Sequence, residues 1–255
     1  MAFLSSLQLP SATQVCVNLP KNLLKKHDFA ESLLDDIVVQ GGKTQCIDRA
    51  LIAPRTCAIP SYADDTRLYD EIHVLEIAVS QRKNLDKLEE ALFRAFPYAL
   101  ILIARHDDAE RITLAHFRTN AADKSLNVLT DVIHSRWFDA NAPLPLAVTY
   151  AVLPKDNLYA FYSAIFDAIV MDNVRQVWPE YAQTAQTARL ALQLYQIYDK
   201  QRSEASAALK REKQMHHCLE YNRKLLALED KIQKIPSLCA DELSACMASY
   251  APNLA

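Results

Sequence analysis

Two adjacent glycines, Gly41 and Gly42, are all that 255 residues contain. Ordinary usage of about 7% would give roughly 18. The deficit excludes the commonest loop chemistries: no phosphate-cradling P-loop, dinucleotide fingerprint or Gly-x-Ser-x-Gly elbow can be written, since each needs Gly where the backbone turns left-handed or approaches a ligand closely. Long apolar runs are also missing. The longest clean one, 98–104, falls far short of the roughly 18 residues a membrane span requires. The opening MAFLSSLQLPSATQ has no basic residue ahead of its apolar patch, so no secretion signal is read there and the expected location is the cytoplasm. The six cysteines include no CxxC pair, and without a secretion signal they read as free thiols.

What is present is ordinary for a globular chain, 51% hydrophobic and 23% charged residues, enough for one large core or two small ones. The net charge of −3 is unevenly divided: 200–234 carries nine Lys and Arg against five Asp and Glu, leaving −7 for the rest. An acidic body therefore bears a basic segment.

Along the first fifty residues, apolar clusters broken by Pro10, Pro20 and the glycine pair read as short helices and turns, with a helix expected over Lys21–Lys26 after Pro20. Then come IHVLEIAV (72–79), the amphipathic stretch 84–96, YALILIAR (98–105) and RITLAHF (111–117), which predict strand, helix, strand, strand. The DDAE between the last two predicts a hairpin turn made without glycine, and LPLAVTYAVL (144–153) predicts another strand. From Asp156 the pattern turns helical. Trp178 and Pro179 mark a break, and 180–234, free of proline and glycine, predicts one or two long helices. The expected class is α/β, or α+β, with a mixed-sheet domain over 1–153, a helical arm over 154–235 and a weakly ordered tail over 236–255.

Three constellations bear on function. A restriction-type nuclease core needs an acidic residue, then Glu or Asp, one spacer and Lys on a strand, to hold Mg²⁺ and activate water. Glu76 lies in a suitable strand with Asp64, Asp65 and Asp70 upstream, but the Lys position is Ala78. A zinc site from His216, His217, Cys218, Cys239 and Cys246 has no recognised spacing, and successive helical residues point about 100° apart. No metal and no cofactor is expected. In the arm, Ala208, Met215, Cys218, Leu219, Leu225 and Leu226 form an apolar stripe that reads as a partner-binding face. Lys210, Lys213, Lys224 and Lys231, with Arg223 and Lys234, form a basic stripe that offers a weaker nucleic-acid contact.

The ordered pieces LQLPSATQV, LPKNLL, EIHVLEIAV, LEEALFRAFPYALILIARH, HSRWF, NLYAFYSAI and REKQMHHCLEYNRKLLALEDKI resemble the bacterial domain-of-unknown-function family 4391 over roughly 7–234. The last carries the most specific pattern: Glu212, Lys213 and Gln214, a short spacer, then Glu220 and Asn222. The family's Lys or Arg near the end of the first strand has no counterpart in LEIAVSQRK. The resemblance implies a companion of helicases and DNA methyltransferases in anti-phage or restriction-type gene clusters and carries over no catalytic residue. The expected function is a non-enzymatic accessory or adaptor subunit that docks on a protein partner. The alternative is a nucleic-acid-binding or degenerate restriction-nuclease-like module built on Glu76.

Overall fold

The computed structural model describes residues 2–19, 35–40, 43–119, 127–144 and 146–249. The helix expected over 21–26 lies outside them. Two compact units divide the chain, Met1–Ile169 and Val170–Ala255.

The first unit is built on a seven-stranded mixed sheet: β1 (Gln14–Asn18), β2 (Cys46–Ile52), β3 (Ile72–Ala78), β4 (Ala99–His106), β5 (Ala109–Thr119), β6 (Asn127–His134) and β7 (Phe138–Asp139). β1 to β6 lie side by side in chain order, and β7 pairs with β5. All pairings are antiparallel except β3 with β4, which are parallel. A parallel pair needs a crossover, and α3 (Leu85–Ala95), which follows the one-turn α2 (Pro54–Cys57), supplies it. Its Leu85, Leu88 and Leu92, at helical spacing, bury against Leu75 and Ile77 of β3 and Leu100, Leu102 and Ala104 of β4. A single Leu88→Asp change would put a charge into this core.

Alternation sends the odd-numbered residues of β4 and the even-numbered ones of β3 to the other face. There the first helix, α1 (Ala2–Leu7), is tied down by the Phe3 N–H donating to Glu110 Oε1 at 2.6 Å, with both residues fully buried. The first turns of α4 (Leu158–Val177) also belong to this unit. The Tyr162 hydroxyl donates to the Leu100 carbonyl at 2.7 Å and accepts from the Ala115 N–H at 2.9 Å. For that reason the units divide at 169/170 rather than at 153/154.

Scarce glycine has a visible consequence. Left-handed backbone is carried by Gln8, Ala58, Asn84 and Asp107, at φ between 50° and 62°. Asp107 turns the β4–β5 hairpin expected from DDAE, and Asn and Asp tolerate this region better than most residues.

Two stretches depart from the sequence expectation. Among the described residues, 146–153 are not a strand: the Val152 and Leu153 N–H groups both donate to the Thr149 carbonyl in a local turn, while the Tyr150 N–H reaches the Leu7 carbonyl at 2.7 Å, so these backbone groups are satisfied outside the sheet. In the opening fifty residues, β1 and β2 are strands where turns and helices are expected. β2 hides because it presents Asp48 and Arg49 and carries a register shift between Asp48 and Ala50, which breaks the apolar alternation.

In the second unit, α5 (Ala185–Arg211) and α6 (Met215–Lys234) pack together, and α7 (Ala240–Ala248) packs on α5. The weakly ordered tail of the sequence reading is thus corrected over 240–248: Leu243 is fully buried, and Gln183 Nε2 donates to the carbonyls of Pro236 and Leu238. The break between α5 and α6 falls at 212–214, without proline or glycine.

Candidate functional site

On the α1 side of the sheet, neighbouring strands place Arg49, Glu76 and Arg105 in a row. Glu76 is 5% exposed. Its Oε2 accepts from Arg49 Nε at 3.0 Å, and its Oε1 accepts from Arg49 Nη2 at 3.1 Å and Arg105 Nη1 at 3.4 Å. A carboxylate held bidentately by one guanidinium and again by a second is charge-compensated from within the protein. The upstream acids are elsewhere. Asp64 closes an exposed turn, accepting from the Thr66 and Arg67 N–H groups and the Tyr62 hydroxyl, and the Thr66 backbone bond foremost, then the Tyr62 hydroxyl, lowers its pKa to about 2. Asp70 is exposed. Among the described residues, Asp64, Asp70 and Glu76 do not form a set with mutually close ligand atoms.

The set that does so is one the sequence reading missed: Asp86, Glu89 and His134, whose candidate ligand atoms lie within 4.8 Å of one another. Glu89, on α3, is fully buried. Arg111 of β5 reaches it twice, Nε to Oε1 at 3.3 Å and Nη2 to Oε2 at 2.5 Å, and the same Nη2 meets Asp86 Oδ1 at 2.6 Å. His134 Nδ1 lies 3.0 Å from Glu89 Oε2 and 3.1 Å from the Thr113 hydroxyl. The guanidinium thus stands where a cation would sit between two carboxylates, so the set is satisfied as an ion-pair network. The Trp137 ring lies beside Arg111, whose guanidinium is 5.8 Å from the ring centre, with Arg82 at 4.2 Å. These residues are scattered from 82 to 137, and no spacing rule could have joined them.

A third cluster lies on β3. His73 Nδ1 is 2.6 Å from Asp48 Oδ2, its Nε2 is 3.3 Å from Glu71 Oε1, and its ring stacks on Tyr98 at 3.9 Å. Burial disfavours the charged ring, but Asp48 and then Glu71 outweigh it and raise the His73 pKa above its ordinary 6.5. A raised folded-state value means stability present in full below about pH 6.5 and lost as pH rises through the folded value. The first unit is therefore expected to melt at lower temperature as pH climbs above about 6.5, and His73→Gln is expected to flatten that slope. Thermal melts followed by Trp137 fluorescence, in a Trp178→Phe background, check this; an unchanged slope would refute it. Nearby, burial first and Asp48 second push the Cys46 thiol up to about 12, so it is an inert core residue.

In the helical unit, the single apolar stripe of the sequence reading splits. Leu228 and Ile232 are the buried positions of α6, and Leu225 is half-buried, lining a cleft of about 510 Å³ with Lys210, Arg202, Ser203, Ser206 and Glu229. Met215, Leu219 and Leu226 sit at 78%, 52% and 66% exposure. At 100° per residue these three fall within about 40° of one another and roughly 100° from Leu225. Of the basic residues, Lys210, Lys213, Lys224 and Lys231 are all exposed, Lys231 lying over the Tyr198 ring at 5.6 Å. The Glu212–Lys213–Gln214 signature is the turn between the helices. Glu212 Oε1 accepts the Gln214 and Lys213 N–H groups at 2.9 and 2.8 Å, which lowers its pKa, and Gln214 stands at the N-terminal boundary of α6 without a side-chain capping bond. Glu220 pairs one helical turn away with His216 at 3.2 Å.

No helix among the described residues is long and apolar enough to cross a membrane. The model of a family described as a domain of unknown function (DUF4391) matches residues 7–232. Neither the curated proteins nor the solved structures contain a match.

Proposed function

Because the chain belongs to the DUF4391 family, we propose that it works as such a family companion: a non-enzymatic accessory subunit that docks on a protein partner through the outward face of α6. The supporting observation is the stripe of Met215, Leu219 and Leu226, three large apolar side chains exposed on one helical face. Single exposed apolar residues need no explanation; three aligned on one face match the anchors of helix-mediated docking. The setting, a bacterial anti-phage or restriction-type system with a helicase or DNA methyltransferase as the partner, rests on the sequence resemblance.

The test is an affinity pull-down of the tagged chain with its neighbouring gene products, with and without nuclease treatment. A partner held in stoichiometric amount after treatment supports docking. Leu219→Asp and Leu226→Asp are each expected to weaken it by about 2 kcal/mol or more, roughly thirtyfold, without altering the thermal melt of the first unit. A partner retained undiminished by the double variant removes the α6 face from the proposal. Loss of everything on nuclease treatment transfers the role to nucleic-acid contact through Lys210, Lys213, Lys224 and Lys231.

A further inference from the structure

A cleft of about 400 Å³ opens beside α1, bounded by that helix, the turn after it, β1 and β2. Its size falls in the range of small-molecule sites, which pair apolar walls with a few fixed polar groups. Leu4, Leu9 and Val15 supply apolar wall, Gln8 and Cys16 supply polar atoms, and Arg49 carries the one formal charge among the lining residues. Among the described residues no acidic side chain lines it.

Arg49 is held in a way that suits an anchor. Its Nε and Nη2 are fixed by Glu76, which orients the guanidinium plane, while among the described residues Nη1 meets only the Cys16 Sγ, at 3.5 Å. A thiol is a weak acceptor, so this donor is poorly used. The lip of the cleft includes Gln8, one of the few non-glycine residues in left-handed backbone, at φ 50°.

We infer that this cleft binds a small organic anion with an apolar body, its carboxylate on the Arg49 guanidinium and its chain against Leu4, Leu9 and Val15. The fork geometry of the guanidinium favours a planar carboxylate, and the apolar walls select against acetate or inorganic phosphate, which would leave them wet. Glu76 then has a positive role: it is the brace that aims Arg49. This inference is independent of the α6 docking reading, since it concerns the other unit.

Cys16 is exposed at the cleft and reports its occupancy; Cys239, also exposed, lies in the other unit and serves as internal control. The experiment follows iodoacetamide alkylation of both thiols in the full-length protein by peptide mass spectrometry, with sodium octanoate, 1-octanol or sodium acetate as probe. Octanoate at about ten times its Kd is expected to slow Cys16 roughly tenfold and leave Cys239 unchanged, with 1-octanol weaker and acetate without effect. In Ser5→Trp, which fills the mouth of the cleft from an exposed position, and in Arg49→Gln, the ratio of rates with and without octanoate returns to one. No protection of Cys16 in the unaltered protein, equal protection by 1-octanol, equal slowing of Cys239, or protection surviving in Ser5→Trp would each overturn the inference. Ser5→Trp and the octanol comparison decide the matter even where Arg49→Gln fails to fold.

Discussion

Glu76→Gln is expected to destabilise the first unit by about 2–3 kcal/mol. Breaking a buried ion pair by neutralising one partner costs about 3–5 kcal/mol, because the other charge stays uncompensated. Here two guanidiniums, at 21% and 35% side-chain exposure, lose the same carboxylate, which is 6% exposed. Their partial access to water reduces the penalty toward the lower figure. Trp137 and Trp178 are the two tryptophans, one in each unit. Urea unfolding followed by Trp137 fluorescence in a Trp178→Phe background therefore isolates the first unit. A loss below about 1 kcal/mol would mean that the carboxylate is not holding the row together. The same protein separates this role from metal binding. A Mg²⁺ ligand would make the unaltered protein more stable as Mg²⁺ is raised, whereas a carboxylate already shared by Arg49 and Arg105 predicts a flat response.

Glu76 also shows where the sequence stops being legible. Its strand, the helix after it and the two strands that follow were readable because β3, α3, β4 and β5 place their apolar residues at the periods of strand and helix. What Glu76 touches was not readable: Arg49 lies 27 positions earlier in β2, a strand whose alternation is broken by its own charged residues and register shift. The same holds for Glu89, Arg111 and His134, which only the sheet order brings together. In the helical unit the length of α5 and α6 was legible from the absence of proline and glycine. The break between them was not, since it is made by the Glu212 side chain accepting two backbone N–H groups, a bond that nothing in the run of residue types marks out. The splitting of the apolar stripe has a similar origin. Leu225 and Leu226 are neighbours in sequence, yet one turns toward the cleft with α5 and the other toward solvent, and helical periodicity alone does not say which direction is inward.

Arg111→Met is expected to be the more damaging change, about 3–5 kcal/mol, because it strands a carboxylate with no access to water at all. Glu89 would keep His134 at 3.0 Å but lose both guanidinium bonds, and Asp86, largely exposed at 72%, would return to solvent at little cost. If the network is a buried ion pair whose desolvation roughly offsets its attraction, the second substitution should repair the first. Glu89→Met in the Arg111→Met background then replaces a stranded charge with an apolar side chain of similar length, next to Leu88 and Leu92 in the core of α3. The double variant is expected within about 1–2 kcal/mol of the unaltered protein, so the two substitutions couple by more than about 2 kcal/mol. Arg111 also lies near the Trp137 ring, so fluorescence would confound the measurement; urea unfolding by circular dichroism, with amide hydrogen exchange along β5 to localise the loss, avoids that. Additive losses would show instead that Glu89 and Arg111 contribute through separate contacts, and that the surroundings of Glu89 tolerate an unpaired carboxylate.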